Sequence, residues 1–152
     1  MKQSLSDILA RDFGVEEEEL AEARRMRAEQ NIPLSEILLK KKVISENQLM
    51  KAYASLYDLP FWPNLPLENL DTEFARKVPI QFLKKYAMVP IRQASGQSGA
   101  DSDGRIVIAV NDPSAFQQLD DLVRILDIHD FELVVSTRDA IYSLINLAYD
   151  SS

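Results

Sequence analysis

The sequence has no cysteine, a single histidine and only four glycines among its 152 residues, and these shortages exclude several classes of function. Without cysteine there is neither a disulfide framework nor a thiolate zinc site. Catalytic triads and transition-metal sites usually draw on histidine or cysteine. His129 is the one candidate, and it lies between Asp127 and Asp130 in a predicted turn before a strand. We therefore interpret it as a turn histidine with acidic neighbours.

The few glycines also argue against nucleotide and calcium binding. A Walker A loop needs the pattern Gly-x-x-x-x-Gly-Lys-Ser/Thr, whose backbone N–H groups and lysine hold the phosphates, and no such stretch exists. Residues 94–104 contain three of the four glycines but no lysine. Within them, Asp101-Ser102-Asp103-Gly104 resembles the middle of a calcium loop, but Gly99 and Val110 then occupy the first and last carboxylate positions. We therefore expect no cofactor, no metal site, no catalytic residues and no enzyme activity.

Long apolar runs and an excess of basic residues are also missing. No stretch approaches the ~20 apolar residues of a membrane-spanning helix, and Met1 to Phe13 lacks the pattern of a signal peptide. The net charge of −7 and the pI near 4.7 disfavour nucleic-acid binding, which depends on cationic contacts to phosphate. The hydrophobic fraction of 46% is enough to bury a core. Together these features favour a soluble cytoplasmic protein without direct membrane insertion.

The first sixty residues contain an internal repeat with a shift of 29 positions. The matching pairs are Leu5/Leu34, Asp7/Glu36, Ile8/Ile37, Leu9/Leu38, Val15/Ile44, Leu20/Leu49 and Ala23/Ala52. Each repeat is predicted to form a short helix, a turn and a longer helix. Ser4 with Asp7, and Ser45 with Gln48, have the spacing of capping boxes, and Gly14 ends the first helix. Because each helix pair has one apolar stripe, the two pairs can form a small four-helix bundle.

The pattern changes near Pro60, where the proline-containing residues 61–66 form a predicted connector. We therefore expect a helical subdomain over residues 1–60 and a small mixed α/β subdomain over residues 61–152, which makes the fold class α+β. Helices are predicted over 70–78, 81–87, from Asp112-Pro113-Ser114 to about Leu126, and from a Ser136/Asp139 capping box to near Tyr149. Strands are predicted over 88–91, 105–110 and 131–135, with a flexible hairpin loop over 94–104.

Several segments, taken in order, resemble the N-terminal region of type II secretion and type IV pilus assembly ATPases of the GspE/PilB type. They are Leu34–Leu38, Val43–Leu49, Leu59-Pro60, Val78-Pro79, Tyr86–Ile91, Ile106–Pro113 and Asp120–Leu122. The resemblance covers essentially the whole chain. It implies a non-catalytic adaptor that docks the motor to the cytoplasmic domain of an inner-membrane platform protein. Through that partner the adaptor would lie peripheral to the inner membrane. A C-terminal ATPase domain follows in the family, and because no motor motif precedes Ser152 we expect an excised fragment.

The resemblance also raises an alternative, a cyclic di-GMP-responsive regulatory domain. In some family members each repeat opens with Arg-Leu-Gly, carries a glycine at the turn and closes with glutamine. The corresponding residues are Ser4-Leu5-Ser6 and Pro33-Leu34-Ser35 at the openings, Phe13 and Lys42 at the turns, and Arg27 and Leu56 at the ends. The charge-assisted contacts of the arginines are lost, and side chains replace the glycines that let backbone approach a ligand. The resemblance therefore supports the fold and disfavours this ligand.

A difference between the two repeats predicts a protein-binding site. Where the second repeat has Tyr53 and Leu56, the first has Arg24 and Arg27. A bundle core would not bury two unpaired charges, so this end of the helix is expected to be exposed or covered by a partner. Apolar residues nearby in sequence could join the arginines, a composition enriched at interface cores. The predicted partner-binding residues are Phe13, Arg24, Met26 and Arg27. An alternative stays open, in which Phe13 and Met26 complete the core of this subdomain.

Overall fold

A computed structural model of the chain describes residues 4–92 and 106–150. The predicted hairpin loop over 94–104, including the calcium-like segment, lies outside these residues. The chain divides into two compact units, Met1–Leu59 and Pro60–Ser152. Within the described ranges, no helix is long and apolar enough to cross a membrane.

The described part of the first unit, residues 4–59, contains four helices that repeat the predicted 29-residue shift. Helices α1 (Leu5–Phe13) and α2 (Glu17–Gln30) belong to the first repeat, and α3 (Leu34–Lys40) and α4 (Glu46–Tyr57) belong to the second. Both capping boxes predicted for this unit are confirmed. The Ser4 Oγ accepts from the Asp7 N–H at 3.2 Å, and the Ser45 Oγ accepts from the Gln48 N–H at 3.2 Å. These caps satisfy helix N–H groups that have no partner within the helix.

The helices of the first unit pack across the two repeats. Helix α1 packs on α4 and α2 packs on α3, so each short helix contacts the long helix of the other repeat. The repeated apolar positions form the core: Ile8/Ile37, Leu9/Leu38, Val15/Ile44, Leu20/Leu49 and Ala23/Ala52 are all buried. The predicted helical tandem-repeat unit is therefore confirmed.

The turns inside the two repeats differ by one position. In the first repeat the left-handed residue is Gly14 (φ 67°), and the N–H of Val15 reaches the carbonyl of Leu9 at 3.2 Å. In the second repeat it is Lys42 (φ 60°), which aligns with Phe13 under the 29-residue shift. A lysine in this region is strained because its Cβ crowds the backbone, whereas a glycine is not.

In the residues that the structure describes, the second unit is a three-stranded sheet with helices. A 3₁₀-helix (Glu73–Arg76) and α5 (Ile80–Tyr86) precede β1 (Met88–Ile91); β2 (Ile106–Val110), α6 (Phe116–Ile125), β3 (Phe131–Val135) and α7 (Arg138–Asp150) follow. The strand order is β1-β2-β3, with β1 antiparallel and β3 parallel to β2. Because parallel strands need a long crossover, α6 connects β2 to β3. The predicted α+β fold class is confirmed.

Helices α5 and α7 pack against β1 and against each other. Helix α7 buries Ile141, Leu144, Ile145 and Ala148, which are all fully inaccessible. Two tyrosines of α7 fix its position: the hydroxyl of Tyr142 donates to the Lys84 carbonyl at 2.7 Å, and that of Tyr149 donates to the Val78 carbonyl. Burial raises the pKa of Tyr149 above its ordinary value.

The helix predicted over 70–78 is wrong, since this stretch contains only the 3₁₀ turn. The N–H of Asp71 donates to the carbonyl of Arg92 at 2.7 Å, and the Asp71 carboxylate accepts from the Glu73 N–H at 3.0 Å. These bonds hold the chain in a turn where the helix was expected to begin. Pro79 disfavours a helical conformation at Val78, so the turn cannot extend into α5.

The predicted start of α6 is also too early. The Asp112 carboxylate accepts from the N–H of Ser114 at 2.9 Å and from its hydroxyl at 2.6 Å. This aspartate turn occupies 112–114, and the helix begins only at Phe116.

The predicted capping box of α7 is wrong as well. Thr137 provides the cap, since its Oγ1 accepts from the Ala140 N–H at 3.2 Å. The buried hydroxyl of Ser136 instead donates to the carbonyl of Trp62 at 2.7 Å. The segment after Pro60 also pairs with the end of β3, because the Val135 N–H donates to the Pro60 carbonyl at 2.9 Å. Part of the predicted connector is therefore attached to the sheet.

Candidate protein-binding site

Helix α2 is charged along most of its length. It buries only Leu20 and Ala23. Its first turn is acidic, with Glu17 to Glu19, while its second half carries Arg24, Arg25 and Arg27. Acidic residues at the start and basic residues at the end both complement the helix dipole, so the arrangement stabilises the helix itself.

Comparison with α4 shows where α2 remains accessible. Tyr53 of α4 is 7% exposed, whereas the side chain of Arg24 at the equivalent position of α2 is 39% exposed. Leu56 is half-buried, whereas Arg27 at the equivalent position is exposed. The accessibility expected of the two arginines is thus observed.

Two of the arginines are paired with glutamates of their own helix. The Arg24 Nη1 lies 3.1 Å from the Glu17 Oε1, and the Arg25 Nη1 lies 3.6 Å from the Glu29 Oε1. All four side chains are more than a third exposed, so such pairs contribute little to stability, typically about 0–1 kcal/mol each. The guanidinium groups can therefore change partners at small cost.

The four predicted partner-binding residues do not form one cluster. Arg24 and Arg27 are three positions apart and lie on the same side of α2. Met26 is half-buried and lies about 160° around the helix from Arg24. Phe13 is half-buried at the end of α1. The structure thus brings the two arginines together, and the binding role of all four residues stays a prediction.

An ion pair between α2 and the end of α3 was not anticipated from the sequence. The Lys41 Nζ lies 3.0 Å from the Glu22 Oε1, and this hydrogen bond, together with the lysine charge, lowers the pKa of Glu22. Lys41 is the middle residue of three consecutive lysines. Only the packing of α2 on α3 distinguishes it from its neighbours, so no signal in the sequence could have identified it.

Several residues at the positions of the Arg-Leu-Gly motif and the turn glycine have structural roles. Ser4 and Ser6 stand where the resemblance calls for arginine and glycine; the first caps α1 and the second is 8% exposed. At the turns, the resemblance places Phe13 and Lys42 in the glycine positions. The first repeat does have a left-handed glycine, Gly14, one position later than expected.

Polar groups at the carboxyl ends of the strands, a common ligand site in α/β sheets, are used by the fold. The Asn111 Nδ2 donates to the Ser136 carbonyl at 3.0 Å, and the Asn111 N–H donates to the Ala87 carbonyl at 3.0 Å. His129 is exposed, with its Nε2 3.1 Å from the Asp127 Oδ1. Over residues 4–92 and 106–150, no group of three or more His, Cys, Asp or Glu side chains could hold a metal ion.

A cavity of about 90 Å³ lies beside β1 in the second unit. Its lining is part charged and part apolar: Asp71, Glu73, Phe74, Lys77, Pro90, Arg92, Ile106, Leu126 and Ile128. Pockets for small molecules and cofactors are usually several times larger, about 300–1,000 Å³. The volume of this cavity is well below that range.

Comparison with known proteins defines the family. The sequence model of the MshEN domain matches residues 57–152, so the chain belongs to the MshEN domain family. A search of curated proteins finds no match.

The fold is shared with solved structures along nearly the whole chain. MshE solved with cdg is 22% identical with a TM-score of 0.72, covering 97% of this chain and 100% of that one. The N-terminal domain of XpsE is 20% identical with a TM-score of 0.65, covering 97% and 98% of the two chains. Another crystal form of that domain is 23% identical with a TM-score of 0.52, covering 96% and 98%. The resemblance to the N-terminal region of GspE/PilB-type ATPases is therefore confirmed.

Proposed function

We propose that this chain is the non-catalytic N-terminal adaptor region of a bacterial type II secretion or type IV pilus assembly ATPase. In this role it docks the motor domain to the cytoplasmic domain of an inner-membrane platform protein, and it is held at the membrane only through that partner. Membership of the MshEN family and the fold shared with the XpsE N-terminal domain support this proposal.

One observation carries the docking role. The side of α2 that holds Arg24 and Arg27 is accessible, although the equivalent Tyr53 of α4 is buried. A repeat that needed this side only for its own core would have kept apolar residues there. Arginine is enriched at the centres of protein interfaces, where its stem gives apolar contact and its guanidinium gives directed hydrogen bonds.

The test is a binding titration between this chain and the cytoplasmic domain of the platform protein from the same host. The triple variant Arg24→Ala, Met26→Ala, Arg27→Ala should bind about tenfold or more weakly, since interface arginines often contribute more than 1 kcal/mol each. Arg124→Ala is a matched control, because this exposed arginine of α6 also pairs within its helix, with Asp120 at 2.9 Å. Circular dichroism melts establish that each variant is folded.

The possible results distinguish a wrong function from a wrong docking surface. Absence of binding by the unaltered chain would contradict the adaptor function itself. Unchanged affinity in a folded triple variant would leave the function standing and place the docking surface elsewhere.

A second candidate function is a cyclic di-GMP-responsive domain. It is favoured by the fold shared with MshE solved with cdg and by the left-handed Gly14 in the first repeat. It is disfavoured by Ser4 and Pro33 at the positions of the arginines, because each missing charged hydrogen bond removes about 1.5–3 kcal/mol. Calorimetry with cyclic di-GMP should show no specific binding. A dissociation constant in the low micromolar range would support this candidate instead.

A further inference from the structure

One face of α2 is separate from the side that carries Arg27. It consists of Glu18, Ala21, Arg25 and Ala28, all exposed, and we call it the outer face of α2. The spacings of three, four and three residues place these side chains along one line of the helix. The centre of this line lies about 140° around the helix from Arg27. A second protein on the outer face would therefore leave Arg27 uncovered, whereas Arg24, about 80° from the centre of the line, lies at the edge of this face.

We propose that the outer face pairs with the same face of a second copy of this chain, with the two α2 helices antiparallel about a two-fold axis near Ala21. The charges on the face are self-complementary, since an acidic residue precedes the central alanine and a basic residue follows it. A two-fold contact requires that a surface fit itself, and this order of charges meets the requirement when the two helices are antiparallel.

The geometry of such a pair follows from helix dimensions. An axis between Ala21 and Glu22 brings Glu18 of each copy level with Arg25 of the other, at two symmetric points about 10 Å apart along the helix. The small Ala21 side chains lie near the axis, where they let the two helices approach closely. Each long side chain then reaches an oppositely charged partner on the other copy.

The equivalent face of the second repeat is mostly covered. Under the 29-residue shift the outer face corresponds to Asn47, Met50, Ala54 and Tyr57 of α4. Met50 is fully buried, and Ala54 and Tyr57 are half-buried. The fold thus covers most of this face in one repeat and leaves Asn47 exposed, whereas in the other repeat all four residues are exposed, with Ala21 in place of Met50 and Ala28 in place of Tyr57.

The pairs within α2 do not prevent this association. Arg25 is 3.6 Å from Glu29, and both side chains are more than half exposed. Exposed pairs of this kind are weak and are screened by salt, so Arg25 can turn to a second copy. The association is itself weak for the same reason. It becomes effective where several copies are held in one assembly, because tethering raises their local concentration into the millimolar range.

The test is sedimentation of the full chain over a concentration series at low salt, with charge-reversal variants. Glu18→Arg and Arg25→Glu should each weaken self-association about tenfold, because two-fold symmetry removes every contact twice. The double variant Glu18→Arg, Arg25→Glu should regain the association of the unaltered chain, since the reversed charges are again complementary. Asp120→Arg on α6 is the control, and it should leave self-association unchanged.

Three results would overturn the proposal. They are a chain that is monomeric across the whole series, single reversals without effect, and a folded double variant no better than the single ones. The last result would indicate that the outer face contacts a different surface of the second copy, because association with a surface other than itself is lost in all three variants. Since the assay uses no platform protein, its outcome is independent of the docking function.

Discussion

Replacing Lys42 by glycine should stabilise the helical unit, which is an unusual expectation for a substitution to glycine. Lys42 has a φ of 60°, in the left-handed region where a side chain costs about 1–2 kcal/mol. Glycine avoids that cost but loses more conformational entropy on folding, about 0.5–1 kcal/mol. Because Lys42 is exposed, little packing is lost with its side chain. The balance is a gain of about 0.5–1 kcal/mol in the free energy of unfolding.

The reverse substitution in the first repeat tests the same reasoning. Gly14 has a φ of 67°, and an added Cβ would meet no atom within 4 Å. Gly14→Ala therefore adds the backbone strain without a steric clash. We expect it to lower the free energy of unfolding by about 1 kcal/mol.

Urea unfolding followed by far-ultraviolet circular dichroism measures both effects. With a slope of roughly 1–3 kcal/mol per molar urea, Lys42→Gly should raise the midpoint by about 0.2–1 M. Lys40→Gly is a matched control, because Lys40 is an exposed residue of α3 with helical backbone, where glycine should destabilise by up to about 1 kcal/mol. Lys42→Ala should leave the midpoint almost unchanged, since alanine keeps the strained Cβ.

Because Lys42→Gly and Lys40→Gly are expected to change the free energy of unfolding in opposite directions, the prediction is easy to refute. If Lys42→Gly left the midpoint unchanged or lowered it, the left-handed strain at this turn would not govern its stability. If Lys42→Ala matched Lys42→Gly, the gain would come from removing the charge and not from the backbone.

Three other predictions follow from contacts in the two units. Ser136→Ala should cost about 1–2 kcal/mol in urea unfolding, because it leaves the Trp62 carbonyl without its 2.7 Å hydrogen bond, whereas Ser143→Ala at an exposed site of α7 should cost less than 0.5 kcal/mol. Lys41→Met should raise the NMR-measured pKa of Glu22 back toward its ordinary value. Since that pKa is lowered in the folded state, the stabilisation of the fold by the Lys41–Glu22 pair is present at neutral pH and is lost as pH falls through the lowered pKa. A difference in stability between the variant and the unaltered chain that persists in acid would contradict this cause. The purified chain should not hydrolyse ATP, since its sequence has no Walker A loop, and turnover that disappears on mutating a residue of this chain would refute that expectation.

Features that depend on neighbouring residues were predicted well from the sequence. The capping boxes at Ser4 and Ser45 need only a hydroxyl and a polar side chain three residues later, so their spacing was sufficient. Ser136 and Asp139 have the same spacing, yet the hydroxyl of Ser136 bonds to Trp62, 74 residues away. A contact that distant leaves no local pattern, and the same holds for the bond between Asp71 and Arg92 that shortens the predicted helix.

The parts of the candidate site that depend on local sequence were also predictable. The comparison of Arg24 with Tyr53 indicated an accessible side of α2, because a charge in place of an apolar residue is a local signal. The position of Met26 around the helix also follows from its spacing, but its degree of burial depends on packing. The pairing of Lys41 with Glu22 required the tertiary structure, since it joins two helices.

The packing of each short helix on the long helix of the other repeat has a consequence for how this unit could have evolved. The most extensive helix contacts of this unit join the two repeats, so we expect that half of the unit does not fold alone and that a cut between α2 and α3 unfolds both halves together. The two copies are therefore bound to keep their buried positions in common. Their exposed side chains are free of this constraint, so the two repeats can differ at the surface. A tandem repeat of this kind can therefore present two different surfaces around one shared core.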